Sequence, residues 1–373
     1  MGDRSSDWYS LEELDKLKAP WNFIFGRRSN GKTTRINIRG VERFFKYGYR
    51  YAVIRRNDAD FRYKKNSAYM FNALCQPGVV EEYPDGVVQT LSKGKYNSVV
   101  YSGREWRFAS VDKTGKVLAK SDVFAMAFSL NVSVHDKGLP NLNFGTILFD
   151  EAIANGGYLV DEFVTLCNLI STIIRDKSIA IIYLVGNTVN MYCPYFREMG
   201  LKHVRDMEVG QIQLYRAGDG SPFVAVEYTS AKVSGMASDK YFAFDNPKLA
   251  MISTGAWEIQ NYPRCPVEYR PIDILYTSYL HFDDEWYKLE IVGTDELFFL
   301  YVSAIEDEPE IGDDTLVYDI AYHAEPNYTR NMLIGTSKVE KQIYSLIRQS
   351  KVFYEDNFVG EAVRNYVLWC SQN

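Results

Sequence analysis

Eight residues, Gly26 through Thr33, read Gly-Arg-Arg-Ser-Asn-Gly-Lys-Thr and satisfy the pattern G-x-x-x-x-G-K-[ST] at every position. The chemistry this spacing serves is the holding of a polyphosphate. The glycines let main-chain N–H groups turn inward around a β-phosphate, and the N-terminus of a following helix adds partial positive charge. Lys32 is placed to reach the β- and γ-phosphates, and Thr33 to offer its hydroxyl to a Mg²⁺ ion bridging them. Gly26, Arg27, Arg28, Ser29, Asn30, Gly31, Lys32, Thr33 and Thr34 are therefore the expected nucleotide-binding residues.

A second constellation is acidic. Asp150 and Glu151 close the apolar run Thr146–Phe149, and two carboxylates at the end of a buried strand are costly without a cation or partner. Asp150 is read as part of a Mg²⁺ shell and Glu151 as the base that orients and deprotonates an attacking water; the plainer alternative is a solvated loop pair. Asn187 stands at the tip of the run Ile179–Val185, either as a sensor hydrogen-bonding the lytic water or γ-phosphate, or as a turn-initiating asparagine. Arg55 and Arg56 follow the run Tyr51–Ile54 at once, at the C-terminal end of a strand expected beside the nucleotide strand, where they could face phosphate. Arg175 directly follows a helical pattern, and a cation at a helix C-terminus is favoured by the helix dipole.

The elements that must position these groups are legible around them. Trp21–Phe25 is a short apolar run that reads as a buried strand, and Thr34 to Lys46 carries Ile36, Val41, Phe44 and Phe45 at helical spacing. Strand, glycine loop, helix is the order a phosphate-binding loop requires. Residues 87–130 read as a β-meander with turns at Ser102-Gly103 and Asp112–Gly115. Residues 131–143 read as a loop. Val160, Phe163, Val164, Cys167, Ile170 and Ile174 recur every three or four residues and predict an amphipathic helix over 158–174. Strands alternating with helices, with every candidate group at a strand C-terminus, predict an α/β fold with an open, mainly parallel sheet over residues 1–205. Residues 206–264 are turn- and proline-rich and read as a linker or lid. Residues 265–373 read as a separate α+β domain, with strands near 274–280, 286–292 and 297–303 and helices over 338–370.

Composition is that of a globular chain: 373 residues, 46% hydrophobic and 24% charged, enough for two or three domains. No run approaches the roughly 20 apolar residues that span a bilayer, and the opening Met-Gly-Asp-Arg-Ser-Ser-Asp is too polar for a signal peptide, so a cytoplasmic protein without membrane attachment is expected. The five cysteines are scattered and include no C-x-x-C, and the four histidines are equally dispersed; neither a disulfide framework nor a metal site is expected among them. The net charge of −6 hides an asymmetry. Residues 27–65 hold 13 Lys/Arg against 3 Asp/Glu, whereas residues 271–373 hold 7 basic and 19 acidic residues. Any polyanion contact is expected in the N-terminal part.

Taken together, the loop Gly26–Thr33, the segment Tyr51–Arg56, the strand ending in Asp150-Glu151, the helix ending in Arg175 and the strand ending in Asn187 resemble the DNA-packaging (encapsidation) ATPases of small short-tailed phages of the φ29 type. The resemblance implies a ring-forming motor of the FtsK/HerA division of P-loop ATPases. Such a motor uses ATP and Mg²⁺ to drive double-stranded DNA into a procapsid in the host cytoplasm. It also implies a homo-oligomeric ring, a pentamer in the family, docked on a portal through a structural RNA. On this likeness Arg175 matches an arginine finger crossing to the neighbouring subunit's nucleotide, Lys137 falls in a pore-side lysine segment, and Arg55 and Arg56 match a basic pair that would contact DNA phosphates. The C-terminal domain resembles the RNase H-like nuclease domain of larger terminases. Its first strand, 274–280, carries no carboxylate, and its acids at 283–285, 306–308 and 313–314 fall in apparent turns, so a vestigial domain without nuclease activity is expected.

Two other readings compete. One is a nucleotide-binding switch for assembly or docking, without DNA translocation; the acidic pair weighs against it, because a pure switch needs no strong general base. The other is a DNA segregation or conjugation translocase of the same ATPase division, which membrane anchoring would distinguish.

Overall fold

The computed structural model describes residues 9–28, 30–62, 67, 69–135, 143–154, 157–175, 179–229, 257 and 260–372; Ser29 and Lys137 lie outside them. The chain divides into two compact units, Met1–Ala154 with Asp161–Trp257, and Asn155–Val160 with Glu258–Asn373.

The first unit contains, in chain order, α1 (Glu12–Leu17), β1 (Trp21–Gly26), α2 (Lys32–Tyr47), β2 (Arg50–Arg55), α3 (Val87–Leu91), β3 (Ser98–Ser102), β4 (Glu105–Val111), β5 (Val117–Ser129), β6 (Phe144–Asp150), α4 (Glu162–Ile174), β7 (Ile181–Asn187), α5 (Pro194–Glu198), β8 (Ile212–Arg216) and β9 (Pro222–Thr229). Among the described residues, nine strands form one sheet in the order β3-β4-β5-β2-β6-β7-β1-β9-β8. The six strands from β5 to β9 run parallel, and the antiparallel pairs lie at the two edges. Central parallel strands are covered on both faces and so are apolar throughout: all seven residues of β6 are buried, and Phe23, Ile24 and Phe25 of β1 have no exposed surface.

Helix α2 packs Ile36, Ile38 and Val41 into a core with Ile24, Tyr51, Val53, Trp106, Phe108, Phe124 and Leu148. Arg43 near its C-terminal end donates to the carbonyls of Gly145 and Ile179, so the helix is fastened to the residues that begin or precede β6 and β7. Ring packing is dense here, with Phe108 and Phe124 stacked at 3.9 Å.

Three expectations need correction. Strand β2 does not lie beside β1: β7 and β6 intervene, so Arg55 and Arg56 stand next to the Asp150 strand. Residues 212–229, expected in a linker or lid, are two strands of the central sheet, with Ile24 of β1 opposite Glu227 of β9. Their turn-rich flanks hid a parallel pairing that depends on a partner some 200 residues away. Helix α4 buries Leu166, Leu169, Ile170 and Ile173 and leaves Val164 exposed, so its inward face is rotated from the expected stripe. A helix apolar on most sides has no single stripe to read.

The second unit contains β10 (Ile274–Phe282), β11 (Glu285–Gly293), β12 (Phe298–Ile305), β13 (Val317–Asp319), β14 (Tyr328–Thr329), α6 (Lys338–Arg348), β15 (Val352–Tyr354) and α7 (Asn357–Gln372). Its sheet runs β14-β13-β10-β11-β12-β15, antiparallel across β10, β11 and β12 and parallel at the other pairings. Ser337 and Glu340 form a capping box that starts α6, each side chain accepting the other's main-chain N–H.

Candidate active site and membership of a family

The strand order sets the site. With β7 between β1 and β6, the glycine loop after β1, the acidic pair closing β6 and Asn187 at the end of β7 meet at the C-terminal ends of three central strands. Gly26 pairs in register with Asn187, and Asp150 with Val185. A cavity of about 230 Å³ opens there, lined by Asn30–Thr34, Asp150, Glu151, Val185, Gly186 and Asn187.

The loop is built as its sequence requires. Gly26 has φ +140 and Gly31 φ +90, left-handed values that tax any residue with a Cβ. At Gly26 a Cβ would also stand 2.9 Å from Thr229 Cγ2 of β9. Tyr9 braces the loop from outside: its main-chain N–H donates to the Asn30 carbonyl at 3.2 Å, and its hydroxyl donates to Glu227 Oε2 at 2.6 Å. Lys32 begins α2, and its Nζ donates to the carbonyls of Arg27 at 2.6 Å and Gly26 at 3.4 Å. Burial pushes its ammonium down to about 7, with Asp150 and Glu227 pulling the other way. Burial likewise raises Glu227 to about 7, opposed by the Tyr9 hydrogen bond and by Lys32. Among the cavity residues, Asn30 is buried, and its Nδ2 has no hydrogen-bond partner among the described residues, a donor available to an anionic oxygen. Arg28 is exposed and Arg27 is buried.

Across the cavity the Thr33 hydroxyl donates to Asp150 Oδ1 at 3.2 Å. A hydroxyl beside a carboxylate is the hard-oxygen donor set that suits Mg²⁺, so the residues present fit that ion. Burial raises the Asp150 carboxyl, and Arg55 opposes the shift, its Nη2 lying 2.5 Å from Asp150 Oδ2 and its Nη1 3.4 Å from Glu151 Oε1. Glu151 is exposed, with a left-handed backbone at φ +61.

The arginines expected to meet DNA are thus committed to carboxylates: Arg55 to the acidic pair, and Arg56 to the buried Glu162. Their strand ends beside the Asp150 strand, which turns both guanidinium groups toward it. Arg175 caps α4, is exposed, and is not among the cavity's lining residues. Sequence reasoning passed over Tyr9, Glu227, Glu162 and Tyr195. Of these only Glu162 left a signal, an acid beside Asp161 at the head of an apolar helix.

Comparison with known proteins bears on the family and the fold. Residues 3–210 match the family model of the podovirus DNA encapsidation protein (Gp16). The chain belongs to that family. It is 28% identical over 192 residues to the DNA packaging proteins of Bacillus phages phi29 and PZA, an overlap of 51% of this chain and 49% of each relative; the chain spans about half the length of the curated relatives it matches. In three dimensions this encapsidation-family chain shares its fold with a chain of the bacteriophage Phi-29 viral genome packaging motor assembly, at 17% identity and TM-score 0.54 over 99% of this chain and 100% of the other. It likewise shares the fold of the Phi-28 gp11 DNA packaging motor, at 15% identity and TM-score 0.53 over 98% of each chain.

Proposed function

We propose that this protein is a Mg²⁺-dependent ATPase that translocates double-stranded DNA into a procapsid. The observation that carries the reading is the convergence of Lys32, Thr33, Asp150 and Glu151 on one cavity in a chain of the DNA encapsidation family. Main-chain N–H groups of the loop, the Asn30 amide and Lys32 bind and orient the β- and γ-phosphates. Thr33 and Asp150 would hold Mg²⁺, which when bound neutralises charge on those phosphates. Glu151, exposed at the cavity mouth, orients a water for in-line attack and takes its proton, and Asn187 hydrogen-bonds the same water or the γ-phosphate. Arg55 pairs with both carboxylates and compensates the buried Asp150, which otherwise carries the cost of charge in a buried site.

Arg175, exposed and away from its own cavity, acts on the nucleotide of a neighbouring subunit, which requires a homo-oligomeric ring. A ring on a portal, bridged by a structural RNA in the host cytoplasm, follows the family likeness. We read the second unit as RNase H-like from its antiparallel β10, β11 and β12 with parallel β13 and β14 beyond β10; β15, parallel to β12, lies at the other end. It does not cut. Strand β10 carries no acid. Asp319 at the end of β13 is committed elsewhere: its Oδ2 lies 2.9 Å from both His281 Nδ1 and His323 Nε2, and its Oδ1 accepts the Ala321 N–H. Mn²⁺-dependent nicking of plasmid DNA that is lost on Asp319→Asn would overturn this part.

The test of the main reading is Mg²⁺-ATP turnover by the full chain with double-stranded DNA and procapsids. Lys32→Ala and Glu151→Gln should each reduce turnover at least about 100-fold, and Glu151→Gln should keep nucleotide binding. Turnover that survives Glu151→Gln, or that ignores DNA and procapsids alike, would leave a nucleotide-dependent docking switch as the better account.

A further inference from the structure

Arg56 lies outside the nucleotide cavity, yet its guanidinium is among the most fully engaged groups near it. Nε and Nη2 each stand 2.8 Å from one oxygen of Glu162, the paired geometry that fixes a planar guanidinium in orientation as well as position. The Glu162 side chain is 1% exposed and also accepts the Tyr195 hydroxyl at 2.5 Å. The remaining N–H groups of Arg56 turn the other way. Nη1 donates to the main-chain carbonyl of Glu151 at 3.2 Å and Nη2 to that of Ala152 at 3.0 Å, while the guanidinium carbon lies 5.7 Å from the centre of the Phe149 ring. Arg56 therefore contacts three residues around the acidic pair: Phe149, just before Asp150, Glu151 itself, and Ala152 just after it.

That grip falls where the backbone needs it. Glu151 has φ +61, a conformation a residue with a Cβ holds only when its surroundings impose it. The far anchor, Glu162, is the first residue of α4, the helix that runs without interruption to Ile174 and is capped by Arg175.

We propose that Arg56 is a positioning residue for hydrolysis: anchored on Glu162, it holds the Glu151 main chain in its left-handed conformation and ties it to the base of the helix that ends at Arg175. The proposal rests on Glu151 being the base. Its consequence is a split between chemistry and binding, because the displaced group is the one that meets water, while the groups that hold phosphate are untouched.

The test replaces the whole polar cluster at once, as Arg56→Met, Glu162→Met and Tyr195→Phe in the full chain assayed with DNA and procapsids. Exchange of a buried ion pair for apolar side chains of similar volume is often neutral or stabilising, so a merely structural pair would leave turnover and melting temperature where they were. Positioning predicts an unchanged melting temperature, KM for Mg²⁺-ATP and nucleotide affinity within about twofold, and kcat lower by about 10- to 100-fold, the scale of a group misplaced by about an ångström. Arg56→Lys is the second variant: it keeps the charge on Glu162 but lacks the fork that reaches both carbonyls, and kcat should again fall with KM kept. Wild-type kcat in a folded triple variant, or in Arg56→Lys, overturns the proposal. Glu151→Gln run alongside separates the two levels: if it stays active the base assignment fails, and if it is inactive while the Arg56 variants are not, only the positioning role fails.

Discussion

Lys32 shows how a residue type acquires its chemistry from its surroundings. A lysine in water loses its charge only near pH 10.5; here burial lowers its ammonium to about 7. A phosphate oxygen placed beside it favours the charged form and raises that value again. Nucleotide binding should therefore take up a proton when the pH lies above 7, and affinity should fall with rising pH until the bound-state value is reached, by up to about tenfold per unit. Calorimetric titration at pH 8 in two buffers of different ionisation enthalpy should report an uptake approaching one proton, lost in Lys32→Met; zero uptake in the unaltered chain would contradict the assignment. The same shift has a sign for stability. The folded chain binds fewer protons here than the unfolded chain between about pH 7 and 10.5, so this group's contribution to stability increases with pH across that window. The pattern of the loop made Lys32 visible as a phosphate ligand. Its depressed ammonium comes from burial, against the opposing pull of Asp150 and Glu227 from strands β6 and β9, and no local pattern connects those surroundings to it.

At the scale of elements, the glycine loop is shaped by a strand the sequence did not place. Gly26 ends β1 opposite Thr229 of β9, and the Thr229 side chain and carbonyl approach the position a Cβ would take to 2.9 and 3.2 Å. Gly26→Ala should cost about 1–3 kcal/mol through its left-handed φ alone, read as a lower melting temperature, with weakened nucleotide binding because the loop's N–H groups are displaced. Adding Thr229→Ser removes the methyl and should recover part of the loss; no recovery would mean that the backbone angle, not the neighbouring strand, governs the position. The strands and helices themselves were readable where apolar runs were short and bounded, as at β1, β6 and β7. Helix α4 was readable as a helix but not by face, since Val164 and Leu166 look equally apolar in sequence and only tertiary packing chose Leu166.

At the scale of the whole molecule, the proposed function draws on more than a single chain. Arg175 is exposed at the end of α4, and its proposed action on a neighbour's nucleotide makes a defined prediction about mixtures. Lys32→Ala spoils a subunit's own cavity, whereas Arg175→Ala spoils the next one. Equal mixtures of these two inactive variants should regain up to about one quarter of wild-type turnover, since a random head-to-tail ring juxtaposes an intact loop with an intact arginine at that frequency. Each variant alone should show almost none. Mixtures as inactive as their components would remove Arg175 from the shared site.

By itself the sequence determined the phosphate-binding loop, the acidic pair and the strands that carry them, because each rests on local rules: glycine where φ is positive, apolar runs where a strand is buried, charge where a strand ends. It also determined the family, through those same motifs. Tertiary structure alone decided which strands are neighbours, and with that the roles of the remaining charges. Arg55 and Arg56 read as a basic pair open to DNA; parallel pairing of β2 with β6 turned one onto Asp150 and the other onto Glu162. Residues 212–229 read as a linker; parallel pairing of β9 with β1, and antiparallel pairing of β8 with β9, made them part of the central sheet. The physical reason is common to both: a parallel strand finds its partner through a crossover of many residues, so the pairing that assigns each side chain its environment is not written in the residues beside it.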